Sequence, residues 1–84
     1  MSESVAEIVR DKLEAGVLPH DQPSKLWAGN GSGQPCTACE RPILSSQAEY
    51  EVQYDDGRPE IRFHAGCHAL WVAERRRRDY LPSD

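Results

Sequence analysis

Cys36-Thr37-Ala38-Cys39 and His64-Ala65-Gly66-Cys67 place four soft donor side chains in two pairs, each with two residues between its members. That spacing lets a tight turn, or the first turn of a helix, aim both side chains of a pair at one point. Thiolate sulfur and imidazole nitrogen are donors that zinc accepts at about 2.0 to 2.3 Å, and two such pairs close one tetrahedron. All three cysteines of the chain fall inside the pairs and none is left over. The spacing therefore predicts one zinc ion held by Cys36, Cys39, His64 and Cys67.

Other uses of these cysteines fit less well. A disulfide framework wants an even number of cysteines in a secreted chain, whereas the count is three and Met1 to Leu18 is charged throughout, without the apolar core of a signal peptide. The expected setting is therefore reducing and cytoplasmic. A redox pair at Cys36 and Cys39 would need a βαβ framework, which 84 residues with one short strand region do not supply. Unliganded structural cysteines would leave the paired spacing unexplained.

The elements that must position the donors can be read from the flanking residues. Hydrophobic content of 38 % with a single Phe makes one domain with a thin core, and a metal staple offsets that deficit. Ser4 with Glu7 three residues later marks a helix start. Val5, Ile8, Val9, Lys12 and Leu13 then follow at helical spacing, and Gly16 and Pro19 end the element. Residues 1–19 are thus expected to form a helix laid on the metal module. Residues 20–35 are rich in Pro, Ser, Gly and Asn and read as a surface loop pinned by Trp27. Gly29, Gly31 and Gly33 do not form a phosphate-binding loop, because no Lys-Ser/Thr pair follows them and no strand and helix flank them.

Residues 36–84 form the module itself. Tyr50, Val52 and Tyr54 alternate with Glu49, Glu51 and Gln53 as a half-buried strand. Asp55-Asp56-Gly57 turns the chain, and Ile61 and Phe63 point inward on the returning strand, near whose start Pro59 is tolerated. Cys67, Leu70, Trp71 and Glu74 then fall at helical spacing. The second donor pair sits where a strand hands over to a helix, whose positive end favours a thiolate at Cys67. Trp71 is expected to pack against the hairpin. The fold class is α+β.

A Cys-x-x-Cys turn, a β-hairpin and a helix bearing the second pair in its first turn resembles the treble-clef zinc fingers. With Cys-x-x-Cys followed by His-x-x-Cys, Cys36, Cys39, His64 and Cys67 look like the first zinc module of a LIM domain. That resemblance covers residues 36 to about 75 and implies four zinc ligands and protein binding without catalysis. A LIM domain's second zinc site uses further Cys, His or Asp ligands, of which the chain after Cys67 offers only His68, Asp79 and Asp84, so that site is not matched. Trp27-Ala28-Gly29 and Gly31-Ser32-Gly33 before the first pair, with Phe63-His64-Ala65-Gly66-Cys67 and Trp71 after it, are also similar to small uncharacterised bacterial proteins, which implies no function.

Catalytic readings lack parts. Pro35-Cys36-Thr37-Ala38-Cys39 fits half of the zinc deaminase signature, whose other half is an upstream H-x-E. The only upstream histidine gives His20-Asp21-Gln22, and glutamine cannot move protons as that glutamate does. A treble-clef nuclease would need an open metal position, whereas three Cys and one His close the tetrahedron. His68 is an alternative ligand to His64, but the His-x-x-Cys spacing favours His64.

No run reaches the ~18 apolar residues of a membrane span. Net charge is −4, which does not favour a nucleic-acid or anionic-membrane partner. The charge is uneven, with acids concentrated in residues 40–60 and bases towards the C-terminal end. Arg75-Arg76-Arg77-Arg78 would splay around a helix at about 100° each. The quartet suits a helix C-terminal end, where cations meet the negative pole of the dipole. Phosphate contact and docking on an acidic protein are the other readings. The sequence thus points to a non-enzymatic zinc-binding module with a protein partner, the alternative being a nucleic-acid-binding regulator that uses Arg75 to Arg78.

Overall fold

A computed structural model describes residues 4–80; the side chains of Asp79 and Tyr80 and residues 1–3 and 81–84, including the candidate donor Asp84, lie outside it. The chain order is α1 (Val5–Glu14), β1 (Lys25–Asn30), β2 (Ala48–Gln53), β3 (Ile61–His64) and α2 (Ala65–Tyr80). This is a small α+β fold with one three-stranded antiparallel sheet in the order β1-β2-β3.

α1 starts where its sequence says. Ser4 is the N-cap and its hydroxyl accepts from the Glu7 amide at 3.2 Å, satisfying one of the donors that a helix start leaves open. Past Glu14 the chain reverses through Gly16 at φ 78°, a conformation that a side chain would strain. Val9 and Leu13 of the apolar stripe are fully buried. α1 packs beside α2, where Arg10 pairs with Glu74 and Glu14 with Arg78. Lys12 reaches the turn that bears the first cysteine pair, donating to the Thr37 carbonyl at 2.9 Å.

The hairpin of β2 and β3 follows the predicted alternation, turning at Gly57 with φ 87°. Val52 and Phe63 are fully buried under α2, and Trp71 stacks on Phe63 with ring centroids 5.0 Å apart. The Trp71 indole N–H donates to the Pro19 carbonyl at 3.0 Å, so the segment after α1 closes over the same core. Leu18, Ala38, Ile43 and Tyr54 join the same buried core.

Two expectations need correction. Residues 20–35 contain β1, an edge strand paired along β2, rather than a continuous loop. Trp27 is no anchor: it is 56 % exposed, with its indole N–H on Gln53 at 3.3 Å. The strand forms because β2 offers it a partner, a long-range condition that its own Gly-rich composition does not announce. The alternation of β2 also hid the burial of Glu49, which is 5 % exposed. Its carboxylate accepts from the Ser32 amide at 3.1 Å and the Ser32 hydroxyl at 2.8 Å, and faces Arg62 at 3.7 Å. The loop bearing Ser32 lies close against the segment before β2 because Gly31 meets the backbone carbonyls of Ile43 and Leu44 with no room for a Cβ.

Candidate metal centre

The first donor pair stands on a compact turn. The Glu40 amide donates to the Cys36 carbonyl at 2.8 Å and the Cys36 amide to the Arg41 carbonyl at 2.9 Å, while Pro35 and Pro42 bridge its base. To return, the chain passes through Glu40 at φ 68°, the one non-glycine residue with positive φ among those described. A side chain in that region costs about 1 to 2 kcal/mol, which the knuckle geometry must offset. Lys12 stands 3.5 Å from the Glu40 carboxylate.

Thr37, the first residue between the two cysteines, sews the knuckle to the strand that ends in the second pair. Its amide donates to the Arg62 carbonyl at 2.7 Å, and its hydroxyl accepts from the Arg62 amide at 3.1 Å. Arg62 is two residues before His64, so these bonds set the separation of the two donor pairs. His64 is the last residue of β3 and Cys67 lies in the first turn of α2, which brings both side chains back to the knuckle.

The donor atoms of Cys36, Cys39, His64 and Cys67 all lie within 4.8 Å of one another, close enough to hold one metal ion. His64 Nδ1 is 3.3 Å from Cys39 Sγ and 4.0 Å from Cys67 Sγ. In a tetrahedral zinc site the sulfur–nitrogen edge is about 3.6 Å by bond-length geometry, so these distances bracket the required value. His64 Nε2 donates to the Pro42 carbonyl at 3.2 Å. That bond leaves Nδ1 with the free lone pair and turns it towards the sulfurs, which is how a second partner orients a histidine ligand. Cys36 and Cys67 are buried, while Cys39 and His64 are half-buried.

The electrostatics favour a cation there. A hydrogen bond from Cys67 pulls the Cys36 thiol down to about 4, against the opposing effect of burial and with help from the amides of Cys39, His64 and Ala38. The same hydrogen bond with Cys36, then burial, pushes the Cys67 thiol up. The pair therefore retains a proton between its sulfurs. A metal ion that displaces it gains two thiolates, and the backbone donors of the Cys36 thiolate are already in place. The donor set and its distances fit zinc.

The other candidates are placed elsewhere. His68 stacks on Tyr50 with centroids 4.6 Å apart and lies beside Phe63 and Trp71, so it does not join the cluster. Burial, then the nearby Arg75, push its imidazole towards the neutral form. His20 bonds the Leu13 carbonyl at 2.7 Å, and Asp21 pairs with Arg58 at 2.6 Å, and neither joins the cysteine cluster. The arginine quartet is divided. Arg75 lies 4.5 Å over the Trp71 ring and donates to the His20 carbonyl, Arg77 pairs with Glu74, and Arg78 pairs with Glu14. Sequence reading missed Thr37 and Pro42, since a threonine between two cysteines and a backbone carbonyl give no spacing signal. No protein family, curated protein or solved structure matches this chain.

Proposed function

We propose that this chain is a non-enzymatic zinc protein of treble-clef type, similar to the first zinc module of a LIM domain, that works in the cytoplasm as a protein-binding unit. The observation that carries the reading is the closed Cys3His set, with His64 oriented by Pro42. Four protein donors fill a tetrahedron and leave no position for a reacting water, the pattern of structural rather than catalytic zinc. The order of knuckle, hairpin and helix, with the donor pairs at its two ends, supports the treble-clef assignment. Three thiol donors suit a reducing compartment. No helix among the described residues is long and apolar enough to cross a membrane.

Protein binding is favoured over nucleic-acid binding because Arg77 and Arg78 are engaged by glutamates of the protein itself, which breaks up the run of arginines that phosphate contact would use. The test has two arms. Native mass spectrometry of protein purified without chelator should show one zinc per chain, lost in Cys67→Ser; metal-free wild type under those conditions would sink the zinc reading. A mobility-shift series across salt should show no binding to duplex or single-stranded oligonucleotides. A shift that weakens steeply with salt would replace protein binding with phosphate contact.

A further inference from the structure

The two edges of the sheet are finished differently. The free edge of β3 is taken up by the knuckle, through the paired bonds of Thr37 and Arg62. β1, at the opposite edge, is exposed along all six residues, with Leu26 at 48 % and Trp27 at 56 %. An uncovered edge with large apolar side chains is a template for a further strand, and proteins ordinarily blunt such edges with charge, proline or cover. β1 has one charged residue, Lys25, at its start.

Between β1 and α2 lies an open groove of 480 Å³. Leu26, Trp71 and Val72 give it an apolar floor, and Lys25, Arg75 and Arg76 are its charges, with no carboxylate among the described residues that line it. Arg76 makes no ion pair with a described side chain, unlike its neighbours Arg77 and Arg78. The outer face beside the same strand has the opposite character, with Glu49 and Glu51 next to Trp27 and Gly29.

The geometry points to this groove as the docking site for an extended acidic segment of a protein partner, which adds to β1 as a fourth strand and sets its carboxylates against Arg75 and Arg76 on the helix side. This rests on the protein-binding reading above and gives it a surface and a partner chemistry. Strand addition supplies affinity through main-chain hydrogen bonds and specificity through alternate side chains. The register fixes the alternation: Leu26 and Ala28 stand opposite Val52 and Tyr50 on the helix side, whereas Trp27 stands opposite Glu51 on the outer side. Acidic residues are therefore required at every second position of the segment, with apolar or basic residues between them. A nucleic-acid strand matches less well, because it brings no peptide groups to the open edge.

The test uses the zinc-loaded full chain and a display library of random decapeptides. Selected peptides should alternate acidic with apolar or basic residues, and their binding should protect β1 amides from hydrogen exchange in NMR. Arg76→Glu, which breaks no ion pair with a described side chain, should weaken binding at least tenfold. Ser46→Glu, which adds a negative charge on the exposed turn before β2, should leave affinity within twofold. Peptides without acidic bias, unprotected β1 amides or equal binding to Arg76→Glu would overturn the inference. Peptides that map to another face would overturn it while leaving the protein-binding reading intact; no selected peptide, or a single-stranded oligonucleotide that protects β1 where peptides do not, would overturn both.

Discussion

Replacing Thr37 by valine tests whether the bonds between knuckle and strand set the metal site. Valine keeps the branched shape but removes the hydroxyl that accepts from the Arg62 amide at 3.1 Å. The Thr37 amide still reaches the Arg62 carbonyl at 2.7 Å, so one of the two bonds survives. An amide left without its partner costs about 1 to 3 kcal/mol when buried. Thr37 and Arg62 are only half-buried, which lets water replace part of the bond and places the cost at about 1 to 2 kcal/mol. For a domain of this size that is roughly a 4 to 16 °C fall in melting temperature. The same loosening shifts Cys36 and Cys39 relative to His64 and Cys67, so zinc affinity should fall about tenfold, as when a group that orients metal ligands is lost. Competition against a chromophoric chelator measures the affinity, and Thr37→Ser, which keeps the hydroxyl, should recover most of it. Thr37→Val that melts and binds zinc as the wild type does would refute the reasoning.

Trp71→Ala removes a fully buried ring stacked on Phe63 and bonded to Pro19, and should cost about 3 to 5 kcal/mol in urea unfolding; red-shifted, water-exposed Trp71 fluorescence in a Trp27→Phe background would contradict that burial. Glu49→Gln should lower stability at pH 7, because the carboxylate is held below its usual range: burial opposes ionisation, but the Ser32 hydrogen bonds and Arg62 outweigh it. A depressed carboxylate stabilises the fold above its unfolded value near 4.5 and loses that contribution as pH falls through the lower folded value. The wild type's advantage over Glu49→Gln in thermal melts should therefore be full at pH 7 and shrink as the pH falls below about 4.5; a difference that stays constant on acidification would count against it.

Local chemistry made much of this protein legible before its structure. The four donors were readable because metal ligation imposes both residue type and spacing, and the spacing is short enough to survive in the sequence. α1, the β2–β3 hairpin and α2 were readable because each carries its own period, cap or turn residues, such as Ser4, Gly57 and the run from Cys67 to Trp71. β1 was not, because its six residues become a strand only when β2 lies beside them, and no alternation in Lys25 to Asn30 records that. The burial of Glu49 depends on Ser32, seventeen residues away, and on a glycine that lets the loop close against the segment before β2. The arginine quartet looked like one feature and is several, since helical rotation sends neighbours in sequence to Trp71, Glu74 and Glu14. Thr37 and the Pro42 carbonyl act on the metal site through backbone geometry that exists only once the knuckle meets β3. Residue type and short-range spacing set the donors and the local elements; packing alone decided which edge was sealed, which acid was buried and where each arginine went.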